Sequence, residues 1–344
     1  MLEQRRTTNI LLLVIVVTLI FYLLKTLKFI FIPLVFSMFI ALLFLPLMRW
    51  LSKRNIPRYI NIMIVIVLIA AGFKIGIELI QLSSREIMAS REDFIIKAQE
   101  KLVWLETYAQ ETFGVAVNQE GNMLNSLLQK DNIGTTLGFL NKTLTMVLMT
   151  AFFVILWLAE SINVHEVFNS TILKKRHTSI KTFRKVEKDL IKFIKVKVVI
   201  SLLTGIFTGL ACVMFDVSFP IFWGLFAFVI NFVQMVGSFI SVICLSIFAF
   251  VELDPTGTLL IFVLAITGVQ VLFGAILEPI FMGKSFSINT IAVLVMLMFW
   301  GYLWGIPGLI MAIPITVFVK IILEQFPSTH GIAKLLSGRK PKKA

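Results

Sequence analysis

Residues 278–324 read EPIFMGKSFSINTIAVLVMLMFWGYLWGIPGLIMAIPITVFVKIILE, and their apolar part, Ile288 to Leu323, is 36 residues long. One helical crossing of a bilayer needs roughly 20 residues. Near the middle lies Gly301-Tyr-Leu-Trp-Gly305-Ile-Pro307-Gly308. Glycine is costly in a helix and proline lacks the N–H donor, so an unbroken helix through these residues is not expected. The stretch reads as two helical pieces broken at membrane depth. Such a break is tolerated only where the irregular backbone is buried in protein or lines a wet cavity.

The 344-residue chain is 58% hydrophobic and 15% charged, with a mean hydropathy of +0.94, which no ordinary soluble domain of this size carries. The expected fold is an all-α polytopic membrane protein. Phenylalanine (32) far outnumbers tyrosine (4), as suits lipid-facing and helix-packing surfaces. Cys212 and Cys244 lie inside apolar runs and read as core fillers rather than a disulfide or a metal pair. The net charge of +13 sits between the spans, where topology explains it, so no nucleic-acid partner is expected.

Along the chain, Arg5 and Arg6 precede an apolar run from Ile10 to Leu24 with no small-residue cleavage site after it, which reads as a retained first span. Spans at 29–48 and 60–80 complete an N-terminal unit, 1–84. Residues 85–136 form an expected extracytoplasmic insert. Within 85–131, Ile87, Phe94, Ala98, Leu102, Leu105, Ala109 and Phe113 mark the narrow seam of an amphipathic helix. That seam packs on its own protein or on a second copy. Gly114 to Gly134 reads as a loop, and 137–160 holds a fourth span. The linker 161–197 is basic, with ten Lys/Arg against three Asp/Glu between 165 and 197. Its apolar Phe183, Val186, Leu190, Phe193 and Ile194 face away from Lys181, Lys185, Lys188, Lys192 and Lys195. This pattern suits a helix lying on anionic lipid, or a plain cytoplasmic linker. The Lys/Arg bias places both termini and the basic segments in the cytoplasm, including the tail 327–344, and the acid-rich insert outside.

Residues 198–326 follow a different pattern: a span at 198–215, an overlong stretch at 219–251, a span at 258–277, and the overlong stretch at 288–323. Gly237 in the first long stretch matches Gly308 in the second. If each long stretch is a broken helical hairpin, the two units are inverted with respect to each other. The count is then about eight membrane-spanning or re-entrant units. The alternative makes each long stretch one tilted span.

Asn231-Phe-Val-Gln-Met-Val-Gly237, Glu278-Pro279-x-x-x-Gly283, Gly305-Ile-Pro-Gly308 and Ala312-Ile-Pro314 resemble the signatures of the autoinducer-2 exporter family of the bacterial cytoplasmic (inner) membrane. Similarity of layout extends over nearly the whole chain. Gln234 and Met235 stand where the family has a proline and an aromatic residue. The resemblance implies export of a small signalling furanone or, for other members, sodium–proton antiport. It also implies an elevator-like transporter assembled as a homo-oligomer, a pentamer among the forms.

The polar groups available at membrane depth are Asn231, Gln234, Ser238 and Ser241 at the first break, Thr267 and Gln270 between the breaks, and Glu278. Gly305, Pro307 and Gly308 contribute backbone at the second. Amides, hydroxyls and free carbonyls suit a neutral polyhydroxylated solute, and they suit sodium equally. Glu278 is the candidate for a proton- or cation-linked role; the plainer reading has it at the membrane interface in contact with water. The small-x-x-x-small patterns Gly72–Gly76, Gly205–Gly209 and Gly301–Gly305 read as packing contacts. Lys74 and Glu78, four apart, pair with each other. Gly283-Lys284-Ser285 lacks the upstream glycine of a phosphate loop, and His165, His177 and His330 have no metal-ligand spacing. No enzyme, cofactor or metal site is expected. A scaffold that transports nothing stands as the reading from another class.

Overall fold

The computed structural model describes residues 2–113, 145–159, 177–233, 236–253, 257–283 and 289–324, and positions 329, 331, 333 and 336. Among them every regular element is a helix: α1 (Leu2–Thr26), α2 (Lys28–Ser52), α3 (Arg58–Ala89), α4 (Arg91–Phe113), α5 (Thr145–Ala159), α6 (His177–Met214), α7 (Pro220–Ile230), α8 (Val236–Glu252), α9 (Gly257–Met282), α10 (Thr290–Trp304) and α11 (Ile306–Leu323). Six of these, α1, α2, α3, α6, α9 and α11, are long and apolar enough to cross a bilayer, so the chain is a multi-pass membrane protein. The expected loop 114–134, the start of the fourth span, Gln234, Met235, Lys284, His165, His330 and most of the tail lie outside the described residues.

Both overlong stretches are broken and folded back on themselves. In the first hairpin, α7 and α8 pack so closely that a Cβ on Gly237 would stand 1.9 Å from the Ile230 carbonyl oxygen. In the second, a Cβ on Gly308 would stand 1.9 Å from the Trp300 carbonyl oxygen, and one on Gly301 would meet the Leu309 side chain at 2.7 Å. The single residue between α10 and α11 is Gly305, at φ +67°, a region that costs glycine nothing. Pro307 falls in the first turn of α11, where its missing N–H would have had no partner in any case. The break is therefore made by Gly305 rather than by a carbonyl orphaned by Pro307. The far end of the first hairpin is tied by Ser218, whose backbone N–H donates to Glu252 Oε2 at 2.6 Å.

α6 corrects the expected boundary at 197/198. The basic linker from 177 onward and the fifth span are one 38-residue helix. No glycine or proline stands between His177 and Gly205 to end it, and the charges simply thin out along it. Leu190, Phe193 and Ile194 are buried in the main core cluster with Ile32 and Phe39 of α2 and Met311 and Ile315 of α11. From Glu187 onward the apolar face is thus spent on protein and the side bearing Lys188, Lys192 and Lys195 is exposed, while the side chains of Lys181, Phe183, Lys185 and Val186 lie outside the described residues. Two smaller clusters complete the packing: α7, α8 and α9 around Trp223 and Phe262, and α2, α3 and α5 around Val65 and Leu158.

Gly205 and Gly209 of α6 bring that helix against the backbone of α7, where Cβ atoms would meet the Gly224 and Pro220 carbonyl oxygens at 2.6 and 3.1 Å. Gly72 and Gly76 differ from expectation, since a Cβ added at either would meet no other part of the protein within 4 Å. Of the amphipathic seam, Ile87 belongs to α3. Phe94 stacks on Phe248 of α8 at 4.8 Å, and Lys101 Nζ donates to the Leu253 carbonyl at 3.1 Å. The seam's first half is therefore seated on the first hairpin, while Leu102 and Leu105 are exposed. Cys212 is buried, whereas Cys244 faces outward on α8, so only the first is a core filler.

Alanine at position 237 or 308 must force the hairpin arms apart, and overpacking of this kind costs about 1–3 kcal/mol. Gly72→Ala, with open space around it, should instead be neutral or stabilising, since alanine favours a helix over glycine by about 1 kcal/mol. Thermal unfolding of the three variants in detergent checks the ordering.

Candidate functional site

The site is built on one face of α6. Leu190, Phe193 and Ile194 define a stripe that continues at helical spacing through Lys197, Ser201, Thr204 and Thr208, and all seven are buried. Lys197 Nζ donates to both carboxylate oxygens of Glu278 on α9, at 2.9 and 3.0 Å, and each side chain is only 5% exposed. One turn further along α6, Ser201 Oγ accepts a 3.0 Å hydrogen bond from Asn231 Nδ2, at the end of α7. The Glu278 carboxylate, the Lys197 ammonium, a hydroxyl and an amide therefore stand within about one helical turn of each other beside the first break. Asn231 lies about 17 Å along the helix from Pro220, roughly half the thickness of a bilayer's hydrocarbon core.

Glu278 is held by an irregular helix. Residues Val271–Leu277 of α9 are π-helical, and the Glu278 N–H donates to the Phe273 carbonyl, five residues back. The cause lies one residue on: Pro279 has no N–H, and in a regular α-helix its ring would strike the carbonyl four residues before it. Widening the preceding turns relieves that clash, and π turns of this kind occur frequently at functional sites. Ser238, just past the first hairpin's tip, has its Oγ 3.4 Å from where a Cβ on Gly274 would be, so the tip rests on this widened turn.

Of the residues expected from sequence, the structure brings Asn231, Ser238 and Glu278 to this region. Ser241 and Gln270 are buried on α8 and α9, and the Gln270 Oε1 has no hydrogen-bond partner among the described residues. Glu278 is 4% exposed and does not reach water, contrary to the interface reading. Gly305, Pro307 and Gly308 form the second tip, whose contacts run elsewhere: Trp304 Nε1 donates to the Leu24 carbonyl at 3.0 Å, and Lys25 lies 3.9 Å over the Tyr302 ring. The Leu24 carbonyl is available because α1 ends at Thr26, leaving its last carbonyls without helical donors. Lys197 and Ser201 were absent from the sequence-based set. Lys197 stands among exposed lysines and reads as one of them by composition. The signal that separates it is register, because Lys197 falls on the apolar stripe and its neighbours do not.

A buried ion pair and a hydrogen-bonded amide and hydroxyl thus stand together where the first hairpin meets two long apolar helices, α6 and α9. Residues 10–328 match the family described as AI-2E family transporter, and the chain belongs to that family. A putative transport protein of Borreliella burgdorferi is 31% identical over 197 residues, 56% of this chain and 54% of that protein. A putative transport protein of Haemophilus influenzae is 27% identical over 318 residues, 89% of each chain. The AI-2 transport protein TqsA of Escherichia coli K12 is 24% identical over 319 residues, again 89% of each.

Removing one member of a buried pair leaves an uncompensated charge and costs about 3–5 kcal/mol, whereas replacing both with apolar groups is near neutral or stabilising. Lys197→Met should therefore lower the melting temperature sharply, and Lys197→Met combined with Glu278→Leu should restore it. A double-mutant cycle by thermal unfolding measures the coupling.

Proposed function

We propose that this chain is a secondary transporter that exports a small polar metabolite across the bacterial cytoplasmic membrane, with both termini in the cytoplasm. AI-2, the cargo in the name of the Escherichia coli relative, is the first solute to test. The single observation that carries the reading is the Lys197–Glu278 pair beside the Ser201–Asn231 hydrogen bond. Ionisable groups at membrane depth are expensive, and a fold retains them where something polar must pass or bind. A buried pair is weak evidence for stability, which strengthens the functional account. Asn231, Gln234, Ser238 and Gln270 supply amide and hydroxyl groups for a polyhydroxylated cargo, while the two hairpins move past α6 in an inverted, elevator-like arrangement. The chain works as a homo-oligomer.

Purified protein reconstituted in vesicles tests this directly. Labelled AI-2 should cross faster than in empty vesicles; Asn231→Leu should slow it at least tenfold while the protein still folds, and Glu278→Gln, which also loses stability by leaving Lys197 unpaired, should slow it at least tenfold per folded molecule. Sodium-dependent proton flux abolished by Glu278→Gln, without AI-2 flux, would place the chain with antiporters instead. Vesicles that move no solute at all would leave a scaffold role.

A further inference from the structure

α3 and α5 touch the site only remotely, yet together they form an open groove. The two helices run antiparallel and pack tightly at one end, where Val65, Val154 and Leu158 are at most 1% exposed. Beyond that end a groove of about 530 Å³ lies between them. That volume falls within the roughly 300–1,000 Å³ of small-molecule sites. Its walls are apolar, with Ile69 and Phe73 on one side and Leu148 and Ala151 on the other. Polar groups enter it only from α3: Lys74, Glu78 and Gln81.

Lys74 and Glu78 are 3.8 Å apart, and their side chains are 79% and 58% exposed. At 1.5 Å per residue they lie about 22 and 28 Å along α3 from Tyr59, where the apolar span begins, and the hydrocarbon layer is about 30 Å thick. The pair therefore sits in the far part of the hydrocarbon layer, from which a long lysine side chain can extend toward the lipid phosphates. Exposed opposite charges at that depth need a polar partner. The groove below them needs an apolar one.

We propose that this groove binds one phospholipid whose head group carries both a phosphate and a primary ammonium, that is, phosphatidylethanolamine. Lys74 takes the phosphate. The Glu78 carboxylate and the Gln81 amide oxygen accept from the ammonium, and an acyl chain fills the wedge between α3 and α5. Charge complementarity selects this occupant. A phosphatidylglycerol head would leave the occupied site with one net negative charge and offer Glu78 only neutral hydroxyls in place of an ammonium, and the quaternary ammonium of phosphatidylcholine has no N–H to donate. This site is separate from the transport pathway and does not depend on the proposed cargo.

Native mass spectrometry of the whole protein, titrated with each of the three lipids, tests the proposal. Phosphatidylethanolamine should be retained in preference to the other two. Glu78→Gln should weaken its retention about tenfold, as expected for loss of one charge-assisted hydrogen bond. Glu78→Lys should turn the preference toward phosphatidylglycerol. Ala151→Phe, which fills the wedge without touching the charges, should remove the bound lipid, with lipid-free melting confirming that it folds. Equal retention of all three lipids by the unmodified protein would overturn the proposal. So would phosphatidylethanolamine binding that survives both Glu78→Gln and Ala151→Phe.

Discussion

In a bilayer, burying apolar side chains against one another gains little over leaving them in lipid, so helices associate by close packing and by polar contacts. Among the described glycines the tightest approaches are at Gly237 and Gly308, where the carbonyl oxygen of one hairpin arm occupies the space a side chain would need on the other. Without that approach neither overlong stretch folds back. Without the first fold-back, Asn231 is not delivered to α6. The chemistry of the candidate site thus depends on the absence of one methyl group, at position 237.

α6 is the helix on which the rest converges. Its early apolar face is buried with α2 and α11, its glycines admit the backbone of α7, and its central polar residues hold Asn231 and Glu278. The first hairpin, α9 and the core around the second hairpin are therefore all referred to one rod. Displacing the first hairpin relative to α6 must exchange the Ser201–Asn231 hydrogen bond, and displacing α9 the Lys197–Glu278 pair, for contacts with something else. Within the proposed cycle, a polar solute is the group that would make that exchange inexpensive.

The spans and the two breaks were legible because apolar length and glycine–proline chemistry are local properties. The 301–308 sequence announces its break, and Gly305 makes it. The join between linker and span in α6 was not legible, since charge density suggested a boundary that helix propensity does not impose. Asn231 and Glu278 were readable as polar residues in apolar runs. Their partners were not, because a lysine among lysines and a serine in an apolar helix acquire meaning only when α7 and α9 are packed against them. Phe219 is similar: nothing local predicts a bulky residue at φ +63°, yet the rings of Phe94 and Phe248 close around it and hold the entry to the first hairpin.

The π-helical turns before Glu278 have one more effect. Each such turn takes up about one residue more than an α turn, which rotates everything downstream by about 100° around the helix axis. Glu278 faces Lys197 in that shifted phase, and in a regular helix of the same sequence it would point to a different side of α9. The direction of the carboxylate is therefore stored in the backbone upstream of it and is read out through Pro279.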